Sequence, residues 1–226
     1  DGIASRGLGD VYKRQLQVNA RRETGRKAQM QNISAAKAVS DVVRTTLGPR
    51  SMLKMILDAS GGIVITNDGN AILREIDVTH PAAKSMIELA RSQDEEVGDG
   101  TTSVIILAGE ILHLSIPFLE KDVHPTVIAR AFSKALEKAV EIIDAKIAFP
   151  LDVENREELL KIVRSSVGTK FTARLGDLVP NLALDAVQTV KTVGSDGKSA
   201  EIDIKKFAKV EKIPGGAIED LSLIHI

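Results

Sequence analysis

The chain has 226 residues, 43% of them hydrophobic and 27% charged, enough apolar material for one large core or two modest ones and too much for a disordered segment. With 30 basic and 31 acidic residues the net charge is −1, so the basic excess that draws nucleic acid or an anionic membrane surface is missing, and neither is expected as a partner. No cysteine is present, which excludes disulfides, thiolate metal sites and a cysteine nucleophile.

Residues 1–15 show neither the apolar stretch of a signal peptide nor a steady helical or strand period. The segments 10–15 and 221–226 have the look of translated adapter, and residues 1–15 and 221–226 are expected to be non-native tails. From Thr24 to Leu47, Ile33, Ala36, Val39, Val43 and Leu47 recur at spacings of three and four, which predicts an amphipathic helix stopped by Gly48-Pro49. Met52 to Leu57 is a short segment. The run Ile63 to Thr66 and the run Ala71 to Ile76 flank Asn67-Asp68-Gly69-Asn70, a pattern that predicts a β-hairpin turning at Asp68 and Gly69.

His80-Pro81 opens a second helix with Ala83, Met86, Ile87 and Ala90 on one face. His80 and His124 each precede a proline and read as helix-start residues. Together with His113 and His225 they have no metal-ligand spacing. Thr101 to Leu119 is apolar nearly all round and is expected to be buried on every side, with Pro117 in its last turn. No uninterrupted apolar run reaches the ~18 residues of a membrane span. A fourth helix is predicted from Pro125 to Ile147 with Ile128, Ala131, Ala135, Leu136, Val140 and Ile143 as its core face. The result is a mostly helical first domain around one hairpin.

Phe149-Pro150 marks a boundary to a smaller α/β segment. Glu157 to Val163 is predicted helical, Ser165 to Lys170 a hydroxyl-rich loop, Leu178 to Val190 a helix, Gly194 to Gly197 a turn and Ile202 to Val210 a strand. No fixed-period repeat occurs, which excludes solenoids and propellers.

The chemistry concentrates at Gly98-Asp99-Gly100-Thr101-Thr102-Ser103, between two predicted helices. Two glycines let backbone N–H groups approach an oxyanion, three hydroxyls can donate to it, and the helix that follows directs its positive end there. Asp99 is a carboxylate suited to Mg²⁺. The same residues also make an ordinary turn and N-cap, and Asp68 is equally the residue an Asn-Asp-Gly turn favours. No Gly-x-x-x-x-Gly-Lys-Ser/Thr loop and no kinase-type glycine-rich turn is present.

Three segments taken together resemble the N-terminal part of a group II chaperonin subunit: Thr45-Thr46-Leu47-Gly48-Pro49-Arg50-Ser51-Met52-Leu53-Lys54-Met55, Thr66-Asn67-Asp68-Gly69, and Gln93 to Ser103. The surrounding wording, including His80 to Glu88 and Ile202 to Lys206, is similar to eukaryotic cytosolic members. The resemblance spans residues 16–220. It implies the N-terminal half of an equatorial ATP-binding domain over 16–148, the first segment of an intermediate domain over 149–213 and the start of an apical domain over 214–220. It further implies a subunit that uses ATP and Mg²⁺ to close around unfolded protein substrates, assembled with other chaperonin subunits in a cytoplasmic double-ring hetero-oligomer. The C-terminal half of the ATP site and most of the apical domain are expected to lie outside this chain.

Residue by residue, the resemblance implies Asp99 as the metal ligand and Gly100, Thr101, Thr102 and Ser103 as phosphate donors. Leu47, Gly48, Pro49 and Gly69 become backbone contacts to the nucleotide, Asp68 the catalytic carboxylate near the γ-phosphate, and Thr169 and Lys170 a γ-phosphate sensor. Arg50 stands where the family commonly has lysine and receives no role. Gly168 stands where related subunits carry a hydroxyl, which leaves Thr169 for that part. A second function class remains open: a non-catalytic module that binds other chaperonin subunits.

Overall fold

The computed structural model describes residues 22–58, 60–168, 170–193, 200–211 and 213–224. Helix α1 (Gly25–Arg44) leads to a hairpin of β1 (Lys54–Leu57) and β2 (Ile63–Thr66), then to α2 (Gly69–Glu75), α3 (Pro81–Glu96), α4 (Thr101–Glu120) and α5 (Pro125–Ile142), whose end widens into a π-turn, Ile143–Ile147. After an irregular stretch come α6 (Arg156–Val167), a 3₁₀ segment (Lys170–Leu175), α7 (Leu178–Val190), the antiparallel pair β3 (Lys191–Val193) and β4 (Ala200–Ile202), and α8 (Ile204–Phe207). The mostly helical fold with a small hairpin in its first part agrees with the sequence reading, and β3 and β4 add a second antiparallel pair.

The core is built by α1, α2, α3 and α4. Ala36, Val39 and Val43 of α1 meet Ile72 and Leu73 of α2, Ala83, Met86 and Ala90 of α3, and Ile105 of α4. These are the three- and four-residue spacings of the sequence turned inward. At Gly109 the α1 and α4 backbones come close: a Cβ there would lie 2.4 Å from Ser40 Cβ. Lys37 donates to Glu110 at 2.7 Å and Arg44 pairs with the same carboxylate, so charge ties the rim of that contact. Helix α4 is by length and composition alone apolar enough to cross a membrane. Here it is the element against which α1, α2 and α3 pack.

Six expectations need correction, four of them before Phe149. The hairpin lies one arm earlier than predicted, with Leu57 opposite Ile63 and Lys54 opposite Thr66. Its turn is closed by Asp58, whose Oδ1 accepts from the Ser60 N–H at 2.9 Å, the Ser60 hydroxyl at 2.7 Å and the Gly62 N–H at 2.6 Å, with Gly61 at φ +83°. The predicted second arm is α2, because Ile72, Leu73 and Ile76 are spaced for one helix face and Asp68 caps it. Helix α4 is buried on one side and leaves Leu107, Leu114 and Phe118 exposed. Helix α5 forms as predicted, yet no residue of its expected core face is buried.

In the smaller segment the predicted strand over 202–210 is cut short, because Asp203 accepts from the Lys206 N–H and starts α8. Ser165 and Ser166 belong to the last turn of α6 and not to a loop. The predicted turn at Gly194 to Gly197 lies outside the described residues. His80 and His124 do start helices, each accepting through Nδ1 from a backbone N–H two residues on, Ala82 and Thr126.

Candidate functional site

One cleft of about 340 Å³ is lined by Leu47, Gly48, Pro49, Asp68, Asp94, Gly98 and Asp99 to Ser103, with Ser165 and Ser166. Four separate stretches of chain meet there, and each arrives for a local reason. Helix α1 ends at Arg44; Thr46 is fully buried and its hydroxyl donates to the Val43 carbonyl at 2.7 Å. Gly48 then takes φ +87°, a left-handed conformation that glycine adopts freely, and the chain turns toward the cleft. The Met52 N–H donates to the Thr45 carbonyl at 2.9 Å and closes that turn.

Helix α3 ends when the Val97 and Gly98 N–H groups both donate to the Gln93 carbonyl, at 3.0 and 3.1 Å. Gly98 and Gly100 both have positive φ, +76° and +73°, so the loop folds back tightly before α4 begins. Asp99 sits between them. Its carbonyl accepts from the Gln93 side-chain amide at 2.9 Å, its Oδ1 accepts from the Gly100 N–H at 2.7 Å, and its Oδ2 accepts from the Ser166 hydroxyl at 2.6 Å. Thr101 and Thr102 are buried in the first turn of α4, whose leading N–H groups have no intrahelical acceptor.

Asp68 caps α2: its Oδ2 accepts from the Ala71 N–H at 3.0 Å. The Gly69 N–H donates to Thr102 Oγ1 at 3.2 Å, so α2 and α4 start side by side on the cleft. A Cβ on Gly69 would lie 2.5 Å from that same oxygen, which explains glycine at this position by close approach rather than by a turn. Behind Asp68, Asn70 is buried; its amide donates to Asp94 Oδ2 at 2.6 Å, and Arg74 reaches the same oxygen at 3.3 Å.

Leu47, Gly48, Pro49, Asp68, Asp99, Gly100, Thr101, Thr102 and Ser103 line one cleft, and Gly69 borders it through Thr102. Thr169 lies outside the described residues, and of Lys170 only the backbone is among them, at the start of the 3₁₀ segment. The reading missed Asp94, Ser165 and Ser166. Asp94 was visible only as part of an acidic helix end, and Ser166 comes from 67 residues beyond Asp99, with no local signal to join them.

The donors are oxygens and backbone N–H groups, which suits an oxyanion with a hard cation. Among the described residues no three His, Cys, Asp or Glu side chains could hold a metal by themselves. A cation here fits Mg²⁺, which keeps waters and phosphate oxygens and needs one or two carboxylates.

The fold and the cleft belong to a known class: the chain is a member of the TCP-1/cpn60 chaperonin family, whose model matches residues 39–225. Within that family it is similar to T-complex protein 1 subunit gamma of Arabidopsis thaliana, with 60% identity over 209 residues, 92% of this chain and 37% of that protein. The gamma subunit of Oxytricha granulifera is 63% identical over 205 residues, 91% of this chain and 36% of that protein. That of Bos taurus is 59% identical over 210 residues, 93% and 38%. The chain thus spans less than two-fifths of the length of these relatives.

Proposed function

We propose that this chain is part of an ATP-driven folding chaperone subunit of the gamma type. Its cleft would hold Mg-ATP, and hydrolysis would drive closure around unfolded protein in a cytoplasmic double-ring hetero-oligomer of chaperonin subunits. The observation that carries this is the convergence of Leu47 to Pro49, Asp68 and Asp99 to Ser103 on one cleft from three separate stretches of chain.

In this reading the α4 N–H groups and the hydroxyls of Thr101, Thr102 and Ser103 receive the phosphates, helped by the positive end of the helix. Asp99 holds Mg²⁺, whose part is to neutralise charge building on the phosphate oxygens. Asp68 orients water for attack on the γ-phosphate and accepts its proton. The Leu47 to Pro49 backbone bounds the nucleotide, and Thr169 and Lys170 sense the γ-phosphate. Differential contact with the two phosphate states is what lets a nucleotide bias a conformational equilibrium. Residues 16–148 would form the N-terminal half of the equatorial domain, 149–213 the first intermediate segment and 214–220 the apical start. The coverage of the gamma relatives supports a longer protein in which further chain completes the ATP site and the apical domain.

A second reading, a non-catalytic module that binds other chaperonin subunits, draws on the exposed apolar residues Leu136, Val140 and Ile143 of the α5 end. Calorimetric titration of ATP with and without Mg²⁺, beside Asp99→Ala, tests the first. Mg²⁺-dependent binding lost in the variant is the expected result. Binding indifferent to both metal and Asp99 would overturn the site.

A further inference from the structure

Asp99 is held from two sides by parts of the chain that have no sequence relation to one another. Its Oδ1 accepts from the adjacent Gly100 N–H at 2.7 Å, and its Oδ2 accepts from Ser166 Oγ at 2.6 Å. Each carboxylate oxygen has about two lone-pair directions, so one hydrogen bond per oxygen restrains the carboxylate, which lines the cleft, and leaves each oxygen a further direction for another partner. Gln93 fixes the same residue's carbonyl at 2.9 Å, so backbone and carboxylate are both anchored. Of these anchors only Ser166 comes from the α6 and α7 segment; the other two lie within seven residues of Asp99, on the α3 end and the loop itself.

We propose that Ser166 is a positioning residue for the metal carboxylate and the point at which α6 feels the metal–nucleotide complex. The inference rests on the reading of Asp99 as the Mg²⁺ ligand given above. The Ser166 hydroxyl aims Asp99 Oδ2 so that the carboxylate presents its free lone pairs to the ion. Hydrogen bonds of this outer kind tune metal affinity by about 10- to 100-fold when removed. Both Ser166 and Asp99 are exposed, so the lower end of that range is expected. Ser166 occupies the last turn of α6, two residues before Gly168 and four before Lys170. Occupancy at Asp99 is thereby transmitted to the segment that leads to Lys170, and by linkage the posture of α6 must change metal affinity in return.

The test uses the full-length subunit in its assembled complex, with Mn²⁺ replacing Mg²⁺ so that free and bound ion are read by electron paramagnetic resonance in the presence of ATP. Ser166→Ala should weaken Mn²⁺ binding at this subunit's site about 10-fold, and Ser166→Thr, which keeps the hydroxyl, should restore most of it. Hydrogen exchange gives the second readout: Mn-ATP should slow exchange in 156–167 of the parent and fail to do so in Ser166→Ala. If Asp99→Ala removes this subunit's share of Mn²⁺ binding while Ser166→Ala binds as the parent does and keeps its protection, the role of Ser166 is refuted and the site reading stands. If Asp99→Ala binds Mn²⁺ normally, the site reading fails and this inference with it.

Discussion

Gly69 and Thr102 are in direct contact: the Gly69 N–H donates to Thr102 Oγ1 at 3.2 Å, and a Cβ at position 69 would sit 2.5 Å from that oxygen. The two residues start α2 and α4, so their contact sets the spacing between the Asp68 cap and the Asp99 loop.

Gly69→Ala is therefore expected to push the two helix starts apart. The neighbours include the Thr102 Cα at 3.2 Å, and backbone does not yield as a flexible side chain would. The cost should be about 1–3 kcal/mol, typical of overpacking a tight contact. Thermal unfolding reads that loss. ATP affinity should fall with it, whereas an unchanged affinity in a folded variant would mean that this spacing does not matter to the cleft.

Ser40 and Gly109 form the equivalent contact at the middle of α1 and α4. Ser40 is fully buried, and its hydroxyl has no hydrogen-bond partner among the described residues. Burying an unsatisfied hydroxyl costs about 1–3 kcal/mol, so Ser40→Ala should raise stability by up to about 1 kcal/mol once the small change in packing is deducted. Gly109→Ala should lower it by about 1–3 kcal/mol, because the added Cβ meets Ser40 Cβ at 2.4 Å. Combining Gly109→Ala with Ser40→Gly removes that clash, and the pair should be less damaging than the sum of its parts. Strict additivity in denaturant unfolding would contradict the contact.

What the sequence made legible was whatever repeats locally. The α1 and α3 faces followed from Ile33, Ala36, Val39 and Val43, and from Ala83, Met86 and Ala90, since a 3.6-residue period is a short-range property. The glycine loop and its hydroxyls were also legible, because they are consecutive in the chain. The position of the hairpin was not. Asn67-Asp68-Gly69 satisfies a turn and a helix start alike, and the tertiary burial of Ile72 and Leu73, both 1% exposed, decides between them. Ser166 enters the cleft by packing across 67 residues, which no local pattern carries, whereas Asp94 lies one helical turn before the glycine loop and shows in the sequence only as part of an acidic helix end. The exposed faces of α4 and α5 are the converse case: apolar spacing states that a face favours cover, not which chain supplies it.

The hairpin turn should be sensitive to acid. The Asp58 carboxyl is held below its ordinary value of 3.8, first by the Ser60 hydroxyl and then by the Gly62 N–H. A group whose folded pKa is depressed contributes stability that is fully present above the unfolded value and lost as pH falls through the folded one. Protection of the Ser60 and Gly62 amides in hydrogen exchange should therefore hold down to about 3.8 and fade below it. In Asp58→Ala these amides should already exchange fast at neutral pH and show no such step. A parent turn whose protection ignores acid would remove Asp58 from that role.

Asp68 carries two roles that a single pair of substitutions can separate. As the cap of α2 it accepts from the Ala71 N–H at 3.0 Å, a task asparagine performs about as well as aspartate. As the proposed acceptor of a proton from attacking water it needs a carboxylate, which asparagine cannot supply. Asp68→Asn should keep the unfolding temperature near that of the parent and reduce ATP turnover at this subunit's own site in the assembled complex by about 10²-fold or more. Asp68→Ala should lose the same turnover and in addition about 1 kcal/mol of stability as the cap disappears. Equal stability loss in both variants would mean that the carboxylate charge, and not the hydrogen bond, holds the start of α2. Full turnover in Asp68→Asn would assign Asp68 to the fold alone and send the search for the base to the other carboxylates of the cleft, beginning with Asp94.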